Sequence, residues 1–133
     1  MTEYQSLGFG LLAPVADVLL LSSDLENEGP TVRLHIDTGS DTTLLPAAAV
    51  RQMGIDSIPG ESFAMMAFDG HRSDAPVAEL VIRFCGKFVQ GRYVLIDREV
   101  GILGRDVLNF FRLIFDGPGH AWGELSEFTT SAT

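Results

Sequence analysis

The sequence predicts a mainly β domain, on three observations. Apolar residues come in short runs, not in long stripes at helical spacing. Gly, Pro, Asp and Asn punctuate those runs. The 133 residues are 46% hydrophobic, which fits a single domain over residues 1–133 with its core in about 15–125. A chain of this length buries roughly two thirds of the surface its unfolded form exposes, so the core needs no metal or disulfide staple. The lone Cys85 leaves no disulfide to form within the chain.

The expected strands run over residues 15–22, 31–37, 61–68, 77–84, 87–96 and 111–115, the last with a return through 121–125. Asp69-Gly70 and Asp116-Gly117 fall between such runs, where positive φ is easy for Gly and tolerable for Asp, so both read as hairpin tips. A first short helix is expected over 46–53, with Pro46 at its first turn, three alanines, and Gly54 placed to end it. A second is expected over 105–111, too short to persist without packing on the sheet. The tail after Glu127 is expected to fray, as are the first residues.

Nine basic against eighteen acidic residues give a net charge of −9 and exclude a nucleic-acid backbone as the expected partner, because that surface demands cations. The N-terminal stretch lacks a basic region followed by a long apolar run, and no run approaches the roughly 20 residues of a membrane helix. The expectation is a cytoplasmic chain with no membrane partner. Other motifs fail on context. Gly8-Phe-Gly10-Leu-Leu-Ala13 matches a dinucleotide fingerprint, but no strand precedes it and Pro14 follows where a helix should grow. His35, His71, His120 and Cys85 show no pair at zinc-ligand spacing. Asp37-x-Gly39-x-Asp41 lacks the later Gly and the closing Glu of a calcium loop.

Asp37 remains. In an alternating strand Leu34 and Ile36 point one way and His35 and Asp37 the other, so a core on the first side leaves the second facing a cleft or a partner. Gly39 lets the backbone turn tightly beside the carboxylate, and Thr38 and Ser40 bring hydroxyls. The same tetrapeptide also reads as a plain Asx-turn at a strand end. On these four residues alone both readings stand.

A second stretch separates them. Val100-Gly-Ile-Leu-Gly-Arg-Asp-Val-Leu108 places an apolar strand, a Gly and a charged helix start downstream of Ile36-Asp-Thr-Gly-Ser-Asp41. Together the two resemble the retropepsin-like aspartic proteases, over roughly residues 15–125 and in that family's order of elements. The resemblance implies a closed or partly open β-barrel with a flap hairpin and one or two short helices, and an aspartic endopeptidase as the activity. It is similar in particular to single-domain bacterial members. By the same resemblance Asp37 is catalytic, in a loop with Thr38, Gly39 and Ser40. Thr38 would hydrogen-bond across a two-fold axis, and Asp41 would pair with Arg105. Phe68, Asp69 and Gly70 would belong to the flap, while Val100 and Ile102, together with Asp41, would contact substrate.

Peptide hydrolysis without metal, cofactor or covalent intermediate needs one group to take a proton from water while another gives one to the carbonyl oxygen. Two carboxylates about 4 Å apart repel by about 4 kcal/mol at an effective dielectric of 20, so one is ionised while the other holds the proton. That is the established behaviour of the aspartic-protease dyad. This chain carries the Asp-Thr/Ser-Gly motif once, because neither Phe68-Asp-Gly70 nor Phe115-Asp-Gly117 has the following hydroxyl residue. The second aspartate must then come from a second copy, and a C2 homodimer brings the two loops together. The expected partners are thus a twin chain and a peptide or protein substrate. The rival readings are a catalytically silent peptide-binding or dimerisation module on the same fold, and an unrelated small β-barrel.

Two residues carry further expectations. His35 stands where the family is usually apolar, so it is expected to border a substrate pocket and add an imidazole titration; the competing reading is a histidine satisfied by nearby backbone or water. Ser40 is expected to donate to the neighbouring carboxylate and favour its ionised form.

Overall fold

A computed structural model describes residues 1–8, 10–66 and 69–125. In chain order these form β1 (Thr2–Glu3), β2 (Gln5–Ser6), β3 (Leu12–Ala13), β4 (Val15–Leu21), β5 (Glu28–Ile36), β6 (Leu44–Pro46), α1 (Ala47–Gln52), β7 (Ser62–Met66), β8 (Arg72–Phe84), β9 (Lys87–Ile96), β10 (Val100–Leu103), α2 (Arg105–Leu108), β11 (Leu113–Asp116) and β12 (Ala121–Glu124). Phe68 and the tail after Glu127 lie outside the described residues.

The principal sheet has seven strands in the order β4-β5-β10-β6-β9-β8-β7. A further pairing of β4 with β8, through Leu19–Arg83, Leu20–Ile82 and Leu21–Val81, closes it into a barrel. β10 lies parallel to β5, and β6 parallel to β9, whereas the hairpins are antiparallel. Only β7 stands outside the ring, attached to the first half of β8 as a protruding hairpin. Alternation does the rest: along β5 Val32, Leu34 and Ile36 are buried and the residues between them are not. They join Val18, Leu20, Leu80, Ile82 and Leu103 in the barrel core. A second, smaller cluster of Leu44, Ala75, Val77 and Val94 forms on another face, under the hairpin.

The helices follow the expected signals with shorter bounds. Gly54 ends α1 at φ +74°, and its N–H reaches the Arg51 carbonyl at 2.9 Å. α2 is a single turn followed by tight turns, because Phe110 and Phe111 bond back to Val107 and Leu108 at 3.0 Å each. β8 begins five residues before the expected 77, running straight through Pro76. The strand changes partner there: Pro76 closes the pairing with Ser62, and Val77 opens the one with Val94. At the 116–121 turn the left-handed residue is His120, φ +50°, not Gly117. The β8–β9 turn, which the sequence reading did not single out, uses Cys85 at +50° and Gly86 at +76°, the mirror-image geometry that matches strand twist.

A separate sheet, β1-β12-β11, covers one end of the barrel. Trp122 anchors it: buried against Phe84 at a centroid distance of 5.7 Å, it donates Nε1–H to the Val15 carbonyl at 3.1 Å. Among the described residues no helix is long and apolar enough to cross a membrane.

Candidate active site

Asp37 follows the last residue of β5 and is held from both sides. Its N–H donates to the Leu103 carbonyl at the end of β10, 3.0 Å, which extends the parallel β5–β10 pairing by one bond. Its Oδ1 accepts the Gly39 N–H at 2.9 Å, and its carbonyl accepts the Ser40 N–H at 3.2 Å. The Asx-turn is therefore real, and it is made by a half-buried residue whose backbone is tied to the neighbouring strand. Gly39 leaves room for the carboxylate: a Cβ there would meet Asp37 Oδ1 at 3.2 Å, a tight contact that the side chain would have to relieve by shifting.

The downstream stretch is packed directly against this loop. The Arg105 N–H donates to the Ser40 carbonyl at 2.9 Å, and Arg105 Nη1 donates to the Thr38 carbonyl at 2.7 Å. Arg105 Nη2 also donates to Asp41, whose side chain is mostly exposed, so this pair contributes at most about 1 kcal/mol to stability. Its geometric effect is larger, because one guanidinium bridges backbone and carboxylate across the loop. Both glycines of the stretch are imposed by contact. A Cβ on Gly101 would lie 2.1 Å from the Leu44 carbonyl oxygen, and one on Gly104 2.5 Å from that of Thr42.

Thr43 and Asp106 complete the support, and the sequence reading passed over both. Thr43 is completely buried. Its Oγ1–H donates to Asp106 Oδ1 at 2.6 Å, its N–H donates to Asp106 Oδ2 at 3.0 Å, and its Oγ1 accepts the Gly104 N–H at 3.0 Å. The available signal was a hydroxyl residue opening the apolar run Leu44-Leu45 and an acid in the first turn of α2.

The remaining expected residues fall as follows. Ser40 is a correction: its Oγ–H donates to the Thr42 carbonyl at 2.7 Å, an acceptor two residues on that the turn brings within reach, and so does not serve the Asp37 carboxylate. Thr38 is exposed at the loop tip. His35 is half-buried and pairs with Val15 of β4 and Ile102 of β10, on the same strand face as Asp37. It is not part of the nearest cavity wall. Val100 and Ile102 do line that cavity, of about 230 Å³, with Leu44, Ile96, Arg98 and Met65 of the hairpin. Asp69 and Gly70 lie at the hairpin tip, where Asp69 Oδ1 accepts the His71 N–H at 2.9 Å and Gly70 takes φ +84°.

No family model and no curated protein matches the sequence. Solved structures do match the fold. The EIAV protease complexed with the inhibitor HBY-793 superposes with a TM-score of 0.54 at 22% identity, over 80% of this chain and 93% of that one. The simian foamy virus protease gives 0.52 at 14% identity, over 73% and 93%. The foamy viral protease-reverse transcriptase in complex with an RNA/DNA hybrid gives 0.52 at 15% identity, over 74% of this chain and 12% of that one. Barrel, protruding hairpin and the β5–β10–α2 junction together make this the fold of the retroviral proteases.

Proposed function

We propose that the chain is an aspartic endopeptidase that works as a homodimer on extended peptide. The observation that carries this reading is the hold on the Asp37 loop: β10 accepts the Asp37 N–H, the Gly39 N–H donates to the Asp37 carboxylate, and Arg105 at the start of α2 donates to the Thr38 and Ser40 carbonyls. Rigid placement is what acid–base work at a fixed geometry requires. The likeness to retroviral proteases supports the same reading at the level of the fold. A second copy related by a two-fold axis brings its own Asp37 beside the first.

In such a pair the ionised carboxylate takes a proton from a water lying between the two, and that water attacks the scissile carbonyl carbon. The protonated carboxyl gives its proton to the carbonyl oxygen, leaving a neutral tetrahedral diol. The diol collapses as the C–N bond breaks: a hydroxyl proton returns to one carboxylate, and the departing nitrogen receives the other. The dyad then holds one proton again. The hairpin of β7 and β8 would close over the peptide and pair with it by backbone hydrogen bonds.

The test combines an inhibitor and a substitution. A pepstatin-type transition-state analogue is expected to raise the melting temperature of the wild type. Asp37→Asn is expected to abolish cleavage of a peptide library while leaving the circular dichroism spectrum unchanged. The Asx-turn at Asp37 favours the silent binding module as the rival, and that rival predicts peptide binding with no cleavage in either protein.

A further inference from the structure

The cavity beside the proposed cleft has an uneven chemistry. Register pairs Phe63 with Ala75 and Met65 with Ser73, so these four share the face of the hairpin that carries Ala75 and Met65 into the second apolar cluster. None of them ionises. The wall beyond is equally apolar, with Leu44, Ile96, Val100 and Ile102. The exception is Arg98, in the bend between β9 and β10, the one charged residue in the lining. Its side chain is exposed, and among the described residues it is in no ion pair. Arg98 also borders a second hollow, against β5 and α1, which Asp97 and Glu99 line with it; of these three charged residues it is the one that reaches the apolar pocket as well.

The cavity is also tied to Asp37. Ile102 is the cross-strand neighbour of His35, on the Asp37 face, and the next residue, Leu103, accepts the Asp37 N–H. A volume of about 230 Å³ takes one side chain. An aliphatic stem loses its water against the isoleucines and Val100. If the stem ends in a carboxylate, that group arrives at a guanidinium whose fork matches it. On a chain with net charge −9, an acidic peptide meets repulsion elsewhere, so this cation decides whether such a residue is tolerated.

We propose that Arg98 is a specificity residue and that this pocket takes a substrate side chain with an aliphatic stem and a terminal carboxylate, glutamate foremost. This rests on the cleft being a peptide-binding cleft, as argued above. Glutamine keeps the stem but offers only a neutral partner, leucine keeps the stem alone, and lysine is repelled.

The test uses extended decapeptides with an apolar centre, paired so that each flanking position in turn carries Glu or Gln. At low salt one position is expected to show a Glu-over-Gln ratio in kcat/KM of about fivefold, the size of a partly exposed ion pair. In Arg98→Gln that ratio falls to about one, and in Arg98→Glu the preference turns to lysine. Equal ratios in wild type and Arg98→Gln overturn the proposal. The same peptides, labelled, are bound to Asp37→Asn and to Asp37→Asn/Arg98→Gln and followed by fluorescence anisotropy. A Glu-over-Gln difference in Kd that the second variant loses supports Arg98 even if the wild type cuts nothing, in which case only the protease reading fails. Equal or undetectable binding of both peptides overturns the proposal independently.

Discussion

At the scale of single residues, the site depends on a carboxylate and a hydroxyl that are not themselves candidates for chemistry. Thr43→Val removes the acceptor for the buried Gly104 N–H and the donor to Asp106 Oδ1, leaving that N–H without a partner and the carboxylate with one hydrogen bond fewer. The expected loss is about 2 kcal/mol of unfolding free energy in urea titrations at fixed protein concentration, largely restored in Thr43→Ser. Two weakly acidic groups, the half-buried Cys85 thiol and the buried Tyr93 hydroxyl, act in the opposite direction to most carboxylates. Burial, then Glu124, pushes the Cys85 thiol up from 9.0 to about 11. Burial, then Asp106, raises the Tyr93 hydroxyl as well, which donates to the Val89 carbonyl at 2.7 Å. Both favour the neutral form when folded, so their contribution is complete below the unfolded values and is lost as pH rises through the folded ones. The urea midpoint is therefore expected to hold up to about pH 9 and then decline. A midpoint that climbs there contradicts this account. Residue identity made Asp37 legible in the sequence, because Asp, Thr, Gly and Ser each has a separate reason to follow a strand. The Ser40 hydroxyl was misassigned because the sequence shows which donors exist but not that the Thr42 carbonyl comes closer than the carboxylate.

At the scale of elements, the barrel strands were readable wherever alternation and a turn signal coincided, and β9 has its expected bounds. Pro76 concealed the start of β8, since a proline normally bars a central strand, and only the exchange of partners at that point removes the conflict. The short strands β1 to β3 carry too few residues to show any period. β11 is the element with most left over. The Leu125 N–H bonds to the Arg112 carbonyl at 2.7 Å, which sets the phase of the ladder. Ile114 and Asp116 then turn their backbone groups toward β12, and Leu113 and Phe115 turn theirs to the open edge. Ile114 and Phe115 are each 43% exposed, an apolar edge of the kind that pairs with another strand. In the proposed dimer the same strand of the twin chain would be that partner. Phe115→Pro deletes an outward N–H without touching the β11–β12 ladder, so it is expected to weaken dimerisation by about tenfold or more in sedimentation, with the monomer still folded. Ile114→Pro, which breaks the inner ladder, is expected to lower the melting temperature instead. Equal dimer affinity in Phe115→Pro and wild type removes β11 from the interface.

At the scale of the whole molecule, the proposed dyad needs a second aspartate that a single copy of the Asp-Thr-Gly loop cannot supply. One Asp-Thr-Gly loop per chain means that the proposed activity belongs to a pair, and mixing experiments read this directly. When wild type and Asp37→Asn chains exchange freely, only wild-type pairs carry two ionisable aspartates. Activity then follows the square of the wild-type fraction, so an equal mixture at constant total protein retains about one quarter of the all-wild-type rate. A chain acting alone would retain one half, since each wild-type copy would work regardless of its neighbour. Dilution gives the complementary reading: below the dimer Kd, activity per chain falls in proportion to concentration. Charge sets where that happens. Each copy carries −9, so the two repel at long range, and moving from low salt to 0.1 M, where the screening length is about 10 Å, is expected to strengthen the pair. The same salt weakens a carboxylate at Arg98. An enzyme of this design should therefore gain dimer and lose glutamate preference together as ionic strength rises, whereas an unchanged Glu-to-Gln ratio alongside tighter dimers would separate the pocket from electrostatics altogether.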